Sequence, residues 1–193
     1  MQYPNFMKQR QIIDECKIES HLLTNDFQGK LGKIVELFEV NSHHYNHNCE
    51  IAYYEKNSAE FGLNNWMPII YFPKIGNDNP LGFIWAILHE FGHYLSPPAF
   101  KANVDWEIVN GTKVRKDKRF IMIREILAWK YAYKLAKDKD FFTNDKDEES
   151  FKECQDKRLG EYCEHCEISN DEFLELKGMS LEDLEKLLLK DYY

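Results

Sequence analysis

The sequence predicts an α+β domain. Two long segments of helical periodicity, at residues 80–95 and 120–137, carry well-marked ends or a continuous apolar stripe. Two short β-branched and aromatic runs, "CEIAYYE" and "MPIIYFP", precede them and read as strands of a small mixed or antiparallel sheet. Helices before and after a few strands place the chain in the α+β class.

The bulk numbers suit that class. With 193 residues, 44% hydrophobic and 30% charged, the chain can build one domain with a real core. The net charge of −8 argues against direct nucleic-acid binding over a broad surface, which needs clustered Lys and Arg. The N-terminal "MQYPNFMKQRQ" lacks the apolar run of a signal peptide, and no stretch is long and apolar enough for a membrane. Five cysteines without a secretion signal point to reduced thiols and a cytoplasmic protein.

Residues 5–23 place Ile12, Cys16 and Leu23 at helical spacing. In "TNDFQGKLGKIVELFEV", Thr24 or Asn25 serves as N-cap, and Phe27, Leu31, Ile34, Val35 and Phe38 form one stripe. Residues 41–48 read as a polar loop, and "EFGLNNW" as a turn between the two strands. Residues 67–72 are either the candidate edge strand for pairing with an extended peptide or simply a core strand. Asn79-Pro80 opens the next helix and Pro97-Pro98 closes it. Residues 99–118 are irregular or weakly β. Residues 143–160 read as a solvated acidic helix, and "SLEDLEKLLLK" as a helix that Ser180 and Asp183 cap.

The chemistry lies in "HEFGH". On a helix, His93 falls about 40° and Glu90 about 100° from His89, so all three share one side. Both imidazoles then reach one tetrahedral metal, with Glu90 beside it as general base. Gly82 and Ala86 lie on that side too, at about 20° and 60°, where small residues admit a close neighbour. The rest of the helix is apolar nearly all round and therefore buried, so its polar groups need partners.

A catalytic zinc takes three protein ligands and keeps one open position. A metzincin would have Gly at 96 and His at 99, where this chain has Ser96 and Ala99. Glu125, 32 residues beyond His93, is the favoured third ligand, because it sits in an apolar stripe with Ile121, Ala128, Trp129, Ala132 and Ala136. Its alternative partner is Arg115, Arg119 or a lysine. Asp105 is the runner-up ligand, with Glu107 behind it. Tyr94, Tyr131 and Tyr133 are candidates for stabilising the transition state. The cluster His43, His44, His47 and the pair Cys163, Cys166 read as a loop and as thiols at a helix end rather than as metal sites.

"HEFGH" followed by "REILAWKYAYKLA" resembles the ImmA/IrrE family of gluzincin-like metallopeptidases, through Glu125, Ala128, Trp129, Tyr131 and Ala132 in the second motif. The resemblance spans about residues 27–137, with a C-terminal helical extension over about 143–193. It implies a single zincin-like domain and one zinc ion on His89, His93 and Glu125. The implied activity is a Glu90-assisted endopeptidase acting on a protein or peptide, in that family often a DNA-binding repressor. The competing expectation is a non-catalytic regulatory or interaction protein on the same fold.

Overall fold

The computed structural model describes residues 3–39, 42, 44–54, 58–64, 67–73, 79–97, 106–109, 112–115 and 118–190, the side chains of 3–6 and 106–115 excepted. Among these, α1 (Tyr3–Glu15), a 3-10 turn (Ser20–Leu22) and α2 (Asn25–Leu37) lead into β1 (Glu50–Tyr53), β2 (Glu60–Asn64) and β3 (Met67–Phe72). Then come α3 (Pro80–Leu95), the hairpin β4 (Trp106–Val109) and β5 (Thr112–Arg115), and the helices α4 (Lys118–Asp138), α5 (Asp145–Cys166), α6 (Asn170–Gly178) and α7 (Leu181–Lys190). The protein is thus α+β, with seven α-helices and a small mixed sheet among the described residues.

Local chemistry sets the element ends. Thr24 caps α2 by accepting a hydrogen bond from the Phe27 N–H, and the predicted stripe from Phe27 to Phe38 is buried. Asn79 accepts from the Gly82 N–H at 2.8 Å, Pro80 follows, and α3 stops at Ser96 before Pro97, as its sequence signals require. Ser180 accepts from the Asp183 N–H and donates its hydroxyl to the Asp183 carboxylate.

The three-stranded sheet has the order β1-β3-β2, with β1 parallel and β2 antiparallel to β3. This corrects one expectation and decides between two others. Residues 60–64 form a strand, not a turn: Phe61 and Leu63 alternate with Gly62, whose missing side chain leaves room for the Tyr71 ring across the pair. Residues 67–72 form the central strand, so the edges are β1 and β2.

Helix α5 also departs from its acidic appearance. Phe151 and Leu159 are fully buried in the core, and Phe151 packs edge-on against Trp85 and Trp129. Its sparse apolar positions are enough to dock it. Near its start Asp147 takes the buried Lys30 of α2 at 3.0 Å and the Thr143 hydroxyl at 2.7 Å. Asp26 is a second partner of Lys30.

Burial pushes the Asp147 carboxyl up, but Thr143 and Lys30 outweigh it and hold it below its ordinary value. A group with a lowered folded pKa adds stability above its unfolded pKa, and this is lost as pH falls through the folded value. Asp147→Ala should therefore destabilise the protein by about 2 kcal/mol near neutrality, because it leaves the buried Lys30 with the half-exposed Asp26 as its remaining carboxylate. Denaturant unfolding should show that deficit shrinking in acid; an equal deficit at both pH values would contradict the role of the pair.

Candidate metal centre

Helices α3 and α4 build the site through one close approach. An ideal Cβ placed on Gly92 would lie 1.9 Å from the Ala128 carbonyl oxygen and 2.9 Å from the Ala128 Cα. Only glycine permits that contact, and it sets α4 against the helix face that carries the histidines. Glycine inside a helix costs about 1 kcal/mol relative to alanine, so a buried helical glycine signals a packing reason. Gly82 and Ala86, expected to play this part, do something else. The Gly82 Cβ position faces only the capping Asn79 side chain, and both residues border an open cleft.

The approach brings together the residues expected to bind metal. His89, His93 and Glu125 are each at least nine-tenths buried, and their ligand atoms lie within 4.8 Å of one another. Glu125 Oε2 is 3.2 Å from His89 Nε2 and 3.4 Å from His93 Nε2. The other Glu125 oxygen accepts from Arg124 at 3.1 Å. Among the described residues the cation beside Glu125 is therefore Arg124; Arg119 pairs with Glu172 at 2.9 Å, and the Arg115 side chain lies outside the described residues. Ile121, Ala128, Trp129, Ala132 and Ala136 are buried around Glu125, as the stripe predicts.

Two of these atoms test whether a cation fits. His89 Nε2 and Glu125 Oε2 are buried without a hydrogen-bond partner, although they face each other at 3.2 Å. A neutral imidazole that protonates Nδ1 presents a lone pair at Nε2, so two acceptors meet there. Buried acceptors without a donor are costly. A proton or a metal ion relieves them. Burial alone would push the His89 imidazole down, but the Glu90 and Glu125 carboxylates lift it to about 9. Burial pushes Glu125 up, and His93, His89 and Arg124 overcome this to hold it well below the carboxylate range. The group could hold a metal ion on two imidazole nitrogens and one carboxylate oxygen, a donor set that suits zinc.

No family model, curated protein or solved structure matches the chain.

Glu90 stands beside this group with both oxygens engaged. Oε2 accepts from the Phe61 backbone N–H at 2.7 Å, and Oε1 lies 3.1 Å from His89 Nδ1. Burial pushes its carboxyl up, but His89 and His93 bring it below its ordinary value, so Glu90 is ionised as a base must be. Phe61 was not foreseen. Its N–H is free to reach Glu90 because β2 is an edge strand, where the sequence predicts a turn. The His89 ring stacks on Trp129, with centroids 4.5 Å apart.

Outside the buried group lies a cleft of about 720 Å³. His89, Glu90, Gly82, Ala86 and Trp129 form part of its lining, and α5 supplies one wall through Glu153, Arg158, Tyr162 and His165.

The three tyrosines serve elsewhere. The Tyr94 hydroxyl accepts from the Ser42 N–H at 2.7 Å and donates to the His47 carbonyl at 3.1 Å, holding the loop before β1. Tyr131 bonds to Glu185 of α7, and Tyr133 to Glu148 of α5 at 2.6 Å. Asp105 and His43 lie outside the described residues, as does the Glu107 side chain. None of the five cysteines forms a disulfide, and the metal-competent group among the described residues is His89, His93 and Glu125.

Proposed function

We propose that the chain is a zinc-dependent endopeptidase of zincin-like fold, of the kind the ImmA/IrrE resemblance implies. The observation that carries this reading is the position of Glu90. An ionised carboxylate borders the same open cleft as His89, beside three buried side chains that together could hold a metal ion.

His89, His93 and Glu125 would hold one zinc ion, and Arg124 would steady the Glu125 carboxylate. When bound, the ion supplies a Lewis acid that acidifies water and polarises a carbonyl. Glu90 takes a proton from the attacking water and delivers it to the leaving amine. The Phe61 N–H fixes the carboxylate for both transfers. It ties the base to the outer edge of β2, and we assign to that edge the pairing with an extended peptide. The buried Trp129 ring against His89 keeps water away from one side of the imidazole.

We place this activity in the cytoplasm, on a protein substrate such as a DNA-binding repressor; among the described residues no helix is long and apolar enough to cross a membrane. The alternative, a non-catalytic regulatory protein on the same fold, has no use for an ionised Glu90 at the cleft. The test is cleavage. Zinc-loaded protein incubated with a cell extract should create new peptide N-termini, which a chelator abolishes and zinc restores. No chelator-sensitive termini would remove the peptidase reading.

A further inference from the structure

A second groove, about 630 Å³ in volume, lies between α4, α5 and the junction of α6 with α7. That volume falls within the usual range of small-ligand sites, about 300–1,000 Å³. Ile126, Tyr133 and Leu181 give it an apolar base, and five lysines surround it: Lys130, Lys134, Lys137, Lys152 and Lys177. One carboxylate, Asp138, shares the lining. Such a gathering of cations is unexpected on a chain of net charge −8.

Some of these charges are answered. Glu148 takes Lys152 at 2.7 Å and Lys137 at 4.0 Å, and Asp156 takes Lys177 at 2.7 Å. Lys130 and Lys134 have no ion-pair partner among the described residues. Lys134 is exposed, whereas Lys130 is half-buried. Burial, and then the repulsion of Lys177, hold the Lys130 ammonium below its ordinary pKa. Five lysines meet three carboxylates, Asp138, Glu148 and Asp156, so the groove carries positive charge it does not itself balance.

Several ammonium groups gathered in one groove suit a multiply charged anion. Lysine offers a compact point charge with freely turning donors, a common choice for phosphate. An apolar base beneath several ammonium groups suits a ligand with both an anionic end and an apolar body.

We propose that this groove binds a small organic phosphate, with Lys130 and Lys134 on the phosphate groups and Ile126, Tyr133 and Leu181 against the apolar body. The site is separate from the metal centre. Lys130 and Lys134 fall about 140° and 180° around α4 from Glu125. Its ligand therefore does not enter the catalytic cleft, and the inference stands whether or not the chain is a peptidase.

Calorimetric titration of the full chain at low salt tests it, with ATP as the organic phosphate, tripolyphosphate as the bare anion and adenosine as the uncharged body. ATP should bind at least tenfold more tightly than either of the others, and more weakly as salt rises. Lys130→Ala/Lys134→Ala should weaken ATP at least tenfold. If that variant fails to fold, Lys134→Glu, at an exposed position, should give the same loss. Absence of ATP binding would overturn the proposal. So would ATP binding that the variants leave unchanged, which would place the phosphates at the metal centre. Equal affinity for tripolyphosphate and ATP would likewise overturn the assignment to an organic ligand.

Discussion

Glu90→Gln is expected to keep the fold and the metal while lowering peptide cleavage by about 10²- to 10⁴-fold, the usual contribution of a positioned general base. The substitution preserves shape and removes charge. Glu90 lies outside the ligand set, so ligation by His89, His93 and Glu125 is left in place. Its two hydrogen bonds, to the Phe61 N–H and toward His89 Nδ1, both rely on carboxylate oxygens. An amide can serve only one of them as acceptor, so a stability loss of about 1 kcal/mol accompanies the change. Zinc content and unfolding, measured beside the rate, separate the roles. Retained cleavage with bound metal would remove Glu90 as the base.

Gly92→Ala should destabilise the protein by about 3 kcal/mol, at the upper end of overpacking costs, and weaken metal binding as well. The added methyl meets the Ala128 carbonyl, carbonyl carbon and Cα, which are backbone atoms with no rotamer to yield. Relief requires α4 to move from α3, and Glu125 moves with it. Gly160→Ala is the matching control, since nothing lies within 4 Å of its Cβ position in α5. It should stabilise the protein by roughly 0.5–1 kcal/mol through helix propensity. Denaturant unfolding of both variants reads the difference. Equal effects at the two glycines would deny the close approach.

Features with local causes were legible in the sequence. Asn79, Pro80 and Pro97 bound α3 because capping and proline chemistry act within a turn. The stripe around Glu125 exposed a carboxylate that needed a partner, and its burial beside two histidines follows. What escaped depends on contacts distant in the chain. Residues 60–64 look like a turn because Gly62 and Asn64 are poor strand formers, yet pairing with β3 overrides propensity. Phe151 and Leu159 dock α5 from a helix that is mostly charged, so periodicity alone understates its burial. Helix α6, capped by Ser169, is short and has too few apolar positions to stand out in the sequence. The tyrosines illustrate the converse. Residue type nominated them for catalysis, but Tyr94, Tyr131 and Tyr133 each spend their hydroxyl joining one element to another.

The central claim is that His89, His93 and Glu125 hold one zinc ion. Zinc titration against a competing chelator, on wild type and Glu125→Ala, tests it most directly. The wild type should bind one ion per chain, and the variant should lose more than about 100-fold in affinity, beyond the 10- to 100-fold typical of residues that only orient a ligand. A wild type that takes up no zinc, or a variant that binds it equally well, would contradict the account.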